Sequence, residues 1–243
     1  MKHRFLAAVL LAMLFGGTSC SSNVLRGKGA KANITPSLSS FNAIKLGGAI
    51  TANVHMKTGA ATSVTISGYE NIVKHIKAEV NNNELYIYTD LDGDWSIVDR
   101  DFTVEITMPE LVRMKMSGAA DANVHGCVAG TALAITVSGA GNVRMDSLLV
   151  DNFVVNISGA GDLQVKGGAA KHAHYEIDGA GDVKAFALQT DETEASISGA
   201  GDGHVTALHK LSASTPGPGS IRYKGHPVLT QAISGAGSIS DAN

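Results

Sequence analysis

The chain has 243 residues, of which 28 are glycine and only 5 proline, so its glycine excess over the usual roughly 7% is neither collagen-like nor a Pro/Gly-rich disordered signature. At 44% hydrophobic it can bury a core, while 5% aromatic and 17% charged residues point to tight turns and thin layers. The formal charge of −3 excludes a strongly basic nucleic-acid binder.

The first element in the chain is an address. Lys2, His3 and Arg4 precede an apolar run from Phe5 to Phe15, too short to span a bilayer as a helix and suited to a signal sequence. Gly16-Gly17-Thr18-Ser19 then lead to Cys20, the pattern of a bacterial lipoprotein signal, although Gly17 stands where that pattern usually has Leu. We expect a signal peptide over 1–19 and acylation of Cys20, which would anchor the chain in a membrane through its lipid. The competing expectation is an ordinary signal peptide with Cys20 incidental. Residues 20–40 are small and polar and read as a flexible tether. If Cys20 is acylated, Cys127 has no intrachain partner and no disulfide scaffold is available.

Residues 41–112 read as an irregular β-helical part. Gly48-Ala49-Ile50-Thr51-Ala52-Asn53-Val54-His55 resembles Gly118-Ala119-Ala120-Asp121-Ala122-Asn123-Val124-His125 at an offset of 70. Val64–Gly68 has the strand-then-corner pattern, Glu84–Tyr88 and Phe102–Ile106 alternate like strands, Asn81-Asn82-Asn83 and Asp92-Gly93-Asp94 are turn signals, and 69–78 holds at most one helical turn. Longer, looser coils and a capping role are expected here.

Residues 113–243 carry a repeat. Ser117-Gly118-Ala119-Ala120-Asp121 is followed by units beginning at Ser138, Ser158, Asp178, Ser198, Pro216 and Ser234, at spacings of 21, 20, 20, 20, 18 and 18. Its glycines form two columns, Gly118, Gly139, Gly159, Gly179, Gly199, Gly217 and Gly235, and Gly141, Gly161, Gly181, Gly201, Gly219 and Gly237. The flanks alternate apolar and polar with period two: Met114, Ile135, Val155 and Tyr175 face in before the corner, and Ala122, Val143, Leu163 and Val183 after it. Identical residue types at identical offsets fit parallel, in-register stacking rather than antiparallel hairpins. The predicted fold is all-β, a parallel β-helix with two main sheets, about 20 residues per coil and Gly-Ala-Gly corners. Seven coils at about 4.8 Å each stack to roughly 34 Å. With 41–112 it forms one continuous domain, 41–243.

Phe41–His55, the run Thr107-Met108-Pro109-Glu110-Leu111 leading into the first corner, and the SGAGD-type repeats resemble the head GIN domain family of auto-transporter adhesins, over about residues 41–241. The resemblance implies a β-helical fold in an exported bacterial lipoprotein and a role in cell adhesion. No heptad stalk or C-terminal barrel pattern is read in these residues, so the trimeric assembly of autotransporters is not expected.

Asp121, Asn142, Asp162, Asp182 and Asp202 form a corner column, beside an outward basic column of Arg144, Lys184, His204 and Arg222. The leading expectation is structural: the acids satisfy corner backbone N–H groups and the basic residues offset their repulsion. Calcium binding and a polar strip for a glycan or peptide are the alternatives. Known Gly/Asp calcium coils repeat every nine residues, unlike these. His172/His174 and His204/His209 are too sparse for zinc and are expected exposed, and Cys127 is expected as a small buried residue. The acid-rich stretch Asp90–Asp101, with Trp95, is the non-repeating candidate for a carbohydrate-active enzyme (a polysaccharide lyase or glycosidase). The expected function is a lipid-anchored, non-catalytic binding or adhesion module of the cell envelope, without a cofactor and with a glycan or protein ligand. The enzyme and a self-assembling envelope protein are the alternatives, and uncapped terminal strand edges leave homo-oligomers open.

Overall fold

The computed structural model describes residues 23–91, 95–98 and 101–243. Among them strands dominate and one helical turn occurs. The N-terminal strands are β1 (Asn23–Leu25), β2 (Lys31–Ile34), β3 (Ala43–Gly48), β4 (Thr51–Met56) and β5 (Ser63–Tyr69). The turn α1 (Glu70–Val73) follows, then β6 (Ile76–Asn81), β7 (Glu84–Thr89), β8 (Trp95–Ile97) and β9 (Phe102–Met108). The repeat region holds β10 (Arg113–Gly118), β11 (Asp121–Val137), β12 (Val143–Ile157), β13 (Leu163–Val165), β14 (Gly168–Ile177) and β15 (Val183–Lys184). It ends with β16 (Gln189–Ile197), β17 (Asp202–Thr215), β18 (Ser220–Lys224), β19 (Val228–Ile233) and β20 (Ser238–Asp241).

The predicted β-helix is present, as a solenoid of about 6 turns at roughly 20-residue spacing. Seven corners delimit about six turns, one fewer than the seven coils counted from the corners alone. Two main ladders run the length of the repeat. One stacks the strands after each corner: Ala122 pairs with Val143, Val143 with Leu163, and Leu163 with Val183. The other stacks the return strands before the next corner: Ile135 pairs with Val155, Val155 with Tyr175, and Tyr175 with Ala195. Each coil also has a second, softer corner, marked in some coils by Gly126, Gly168 or Gly225 at positive φ, and a short third ladder lies there, where Leu148–Val150 stack on Gly168–Ala170. The pairing skips Thr131, Asp151, Lys171 and Asp191, so the chain bends at a polar residue between the third ladder and the return strand.

The inward columns are the aliphatic ones read from the period-two alternation. Val143, Met145, Leu148, Phe153, Val155 and Ile157 of one coil are at most 1% exposed, and each meets its equivalents in the coils on either side. The interior is narrow. Phe153 and Tyr175, edge to face at 5.9 Å between ring centroids, are the two rings fully inside the regular coils. Burial pushes the Tyr175 phenol pKa upward, so it stays neutral.

Close backbone approach explains the corner glycines. A Cβ on Gly159 would stand 1.9 Å from the Gly139 carbonyl oxygen of the neighbouring coil, and one on Gly161 would stand 2.0 Å from the Gly141 oxygen. Of the two glycine columns only Gly118 has positive φ, at 79°. The carbonyls that exclude a side chain are the ones the corner needs: Gly139 O accepts from Ala160 N–H at 3.0 Å, and Gly159 O from Ala180 N–H at 2.9 Å.

The N-terminal part departs from a simple looser helix. The offset of 70 is a direct stacking: β4 pairs with β11 with Asp121 opposite Thr51 and His125 opposite His55, and β3 pairs with β10 with Gly118 opposite Gly48. The rung made by β7 and β9, later in the chain, lies on the far side of β3 and β4, so rung order and chain order differ. Beyond that rung the direction reverses. β6 is antiparallel to β7, β5 is antiparallel to β9, and β2 is antiparallel to β5. Val64–Gly68, read as strand then corner, therefore forms a cap strand that runs into α1. Residues 20–40 are not wholly a tether either: β2 extends this cap and β1 pairs with β8. The predicted signal peptide and Cys20 lie outside the described residues.

Candidate functional site

The corner acids are bound to the coil that follows. Asn142 N–H donates to Asp121 Oδ1 at 2.9 Å, Asp162 N–H to Asn142 Oδ1 at 3.2 Å, and Asp182 N–H to Asp162 Oδ1 at 3.0 Å. Asp202 N–H donates to Asp182 Oδ1 at 3.0 Å and Ser220 N–H to Asp202 Oδ1 at 3.2 Å, which completes a side-chain ladder along the corner. One side-chain oxygen of each thus satisfies a backbone donor that the sharp turn removes from the sheets. Lys184 Nζ bridges Asp162 and Asp182 at 3.2 Å each, the offset expected of the basic column. Partial burial works to raise the Asp182 pKa, but the Asp202 N–H and the Lys184 ammonium outweigh it and hold the carboxyl below its ordinary range. Hydrogen bonds to Asp182 and Asp162 in turn raise the Lys184 pKa. Arg144 and Arg222 make no ion pair among the described residues.

The solvent face of the ladder after the corners holds two further columns. Glu105 contacts His55 Nε2 through Oε2 at 2.7 Å and accepts from Asn53 Nδ2 through Oε1 at 2.7 Å. The His55 ring stacks on that of His125 at 5.3 Å, and His125 Nδ1 lies 3.3 Å from Asp146 Oδ2. Lys166 donates to Asp146 Oδ1 at 3.1 Å, and this bond, with the Gly126 N–H and His125, depresses the Asp146 pKa against a smaller effect of burial. In the next coil the column continues with Phe186, half-buried on the outer face. Its ring stacks on His204 with centroids 4.9 Å apart and planes 17° apart, and Lys224 Nζ sits 5.1 Å from its centroid. A notch of about 320 Å³ opens here, lined by Gln164, Val165, Lys166, Lys184, Phe186, Ala187 and His204. Sequence reasoning passed over Phe186. The signal was its place in the alternation Val183-Lys184-Ala185-Phe186, an aromatic at an outward position.

The other candidates separate. His172 and His174 face outward as expected, each beside an acid of the next coil: His172 Nδ1 is 3.7 Å from Glu192 and His174 Nδ1 is 3.2 Å from Glu194. They share a shallow hollow of about 510 Å³ with Asn152, Lys210 and Ser212. His204 and His209 are not a pair, since His204 packs on Phe186 and His209 lies 3.6 Å from Asp191 near the softer corner. Among the described residues no three His, Cys, Asp or Glu side chains are grouped to hold a metal ion. Cys127 is exposed rather than buried, because the chain bulges at the softer corner between Val124 and Cys127. Within Asp90–Asp101, residues 92–94 and 99–100 and the side chain of Trp95 lie outside the described residues. Asp101 forms an exposed ion pair with Lys31 at 2.8 Å.

These features define a class of architecture, a parallel β-solenoid capped at one end, whose repeated polar residues serve its own corners. The chain belongs to the family described as "Putative auto-transporter adhesin, head GIN domain", whose profile matches residues 40–227. It is similar to the crystal structure of a putative adhesin from Bacteroides fragilis NCTC 9343, with TM-score 0.84 and 27% identity over 90% of this chain and 100% of that one. A putative adhesin from Parabacteroides distasonis ATCC 8503 aligns with TM-score 0.73 and 26% identity, again over 90% of this chain and 100% of that one. The fold also recurs in a putative lipid binding protein from the same organism, with TM-score 0.73 and 21% identity over 91% of this chain and 100% of that one. No curated protein matches the sequence.

Proposed function

We propose that the protein is a non-catalytic binding module of the bacterial cell envelope, an adhesin held at a membrane by acylation of Cys20. The observation that carries this reading is the employment of the corner acids. Each of the five repeated Asx side chains from Asp121 to Asp202 accepts a backbone N–H of the next coil, so the densest acids of the regular coils are occupied in holding the stack together. What remains for a ligand is a set of long, in-register polar faces on a rigid rod, a form suited to extended contact. Family membership supports adhesion, and the signal-like segment ending at Cys20 supports the anchor.

Two measurements on the native organism test the two halves. Cys20→Ser is expected to move the protein from the membrane pellet to the soluble fraction, and retention in the pellet overturns the anchor. Loss of the gene is expected to lower attachment of cells to glycan- or protein-coated surfaces, and unchanged attachment overturns the adhesin role. The catalytic alternative keeps the stretch Asp90–Asp101, and the exposed His172–Glu192 and His174–Glu194 pairs give it a second candidate group. Turnover of polysaccharides that disappears in Glu192→Gln/Glu194→Gln would establish it instead.

A further inference from the structure

We propose that the notch at Phe186 is a carbohydrate subsite that takes an uncharged pyranose within a longer glycan laid along the solenoid axis. The inference rests on the binding-module reading above and names the ligand class and the place. Phe186 is the one Phe, Tyr or Trp side chain of residues 113–243 set on an outer column; Phe153 and Tyr175 are inside, and Tyr223 belongs to an inward column at the last coil. An aromatic at a position that is otherwise polar gives up solvation, and it offers the apolar ring face on which the C–H side of a sugar stacks. The His204 ring at 4.9 Å fixes its orientation, so little side-chain freedom is left to lose on binding. The notch of about 320 Å³ is at the small end of ligand sites, the scale of one monosaccharide rather than a lipid tail or a protein surface.

The polar lining selects charge. Lys166 is paired with Asp146, and Lys184 with Asp162 and Asp182, so the ammonium groups are neutralised where they stand. With Lys224, whose Nζ sits 5.1 Å from the Phe186 ring centroid, three ammonium groups stand among the three carboxylates Asp146, Asp162 and Asp182, so donors and acceptors lie side by side and their formal charges cancel. Hydroxyls can use both, since they donate to carboxylate and accept from ammonium, and the Gln164 amide adds one more of each. An anionic ligand would meet the carboxylates of Asp146, Asp162 and Asp182 around the notch, and it could pair with Lys166 or Lys184 only by displacing them. The direction of the glycan follows from the coils. Asn123, Arg144 and Gln164 continue one outward column toward the capped end, one polar residue per coil. The coil spacing of about 4.8 Å is close to the advance of one pyranose in an extended glycan.

The test uses the detergent-solubilised full chain and saturation-transfer NMR with cello-, malto- and manno-oligosaccharides, and with oligogalacturonate as the charged comparator. At least one neutral oligosaccharide is expected to receive saturation at its ring C–H protons. Phe186→Ala is expected to weaken its binding about tenfold, while Phe186→Trp keeps it. Gln164→Ala, a change at an exposed position, is expected to weaken binding without altering the melting curve, which guards against a folding artefact in the Phe186 variants. Binding unchanged in Phe186→Ala, equal or tighter binding of oligogalacturonate, or no binding of the neutral probes overturns the proposal. The two readings fail separately. If neutral probes do not bind while cell attachment still depends on the protein, the subsite falls and the adhesin role stands. If they bind through Phe186 while attachment is independent of the protein, the adhesin role falls and the subsite stands.

Discussion

Gly159 lies against the Gly139 carbonyl, and no rotamer relieves a Cβ placed 1.9 Å from a backbone oxygen. Gly159→Ala is therefore expected to cost more than about 3 kcal/mol, because two coils must separate at the corner. Gly130 is the control, since a Cβ there meets nothing within 4 Å. Gly130→Ala should stay within about 0.5 kcal/mol in a urea titration, and equal losses for the two variants would refute the close-approach account. Two acids, one at a corner and one on the outer column, set a pH dependence. Asp146 and Asp182 both have folded pKa values depressed below the unfolded carboxylate value. Their stabilisation is thus present above that value and is lost as pH falls through the folded pKa, below about pH 4. Asp182→Asn keeps an oxygen for the Asp202 N–H and removes the charge. It is expected to flatten the acid limb of the urea midpoint against pH, and an unchanged limb would assign the acid loss elsewhere. The glycine columns and the Asx column are both legible as sequence, because each recurs once per coil. Phe186 occurs once and carries no period, so only its outward parity could mark it.

At the scale of elements, a coil buries its aliphatic side chains only between neighbours, so stability is a sum of coil and interface terms. Excision of residues 163–182 joins Asp162 to Val183 and brings Val183 over Val143, the same inward column. The shortened chain is expected to fold with the same circular dichroism shape and a smaller denaturant m-value. Excision of half that length, 163–172, keeps the in/out parity but sets Gln189 and Asp191 at the corner places of Gly179 and Gly181, where a Cβ meets a backbone oxygen of the neighbouring coil at 1.8 and 2.1 Å; it is expected to abolish folding, and a folded product would contradict in-register stacking. The twenty-residue period makes the regular coils legible in the residues themselves, and the offset of 70 locates the stacking of β4 on β11. The cap is not legible in that way. Alternation marks Val64–Gly68 and Phe102–Ile106 as strands whichever way they run, and period two carries no direction. The third ladder escapes for a different reason: its bends fall at Thr131, Asp151, Lys171 and Asp191, which carry no glycine signature.

For the whole molecule, the mismatch between chain order and rung order makes the two ends unequal under load. β3 is bonded along both edges, to β7 on one side and β10 on the other, and β4 likewise to β9 and β11. β19 and β20 are each bonded along one edge, to β17 and β18. Tension entering at the N-terminus peels β1 and β2 and then meets strands clamped in mid-stack, which must shear from two neighbours together. Tension entering at the C-terminus opens one ladder at a time, like a zipper. Optical-tweezer traces pulled from the C-terminus should show repeated low-force steps that each release one coil, roughly 70 Å of extended chain. Pulling from the N-terminus should show a higher first rupture, and equal forces at both ends would remove the distinction. A rod tethered at its clamped end transmits load into the stack without unravelling there, so an overload is dissipated coil by coil at the distal tip.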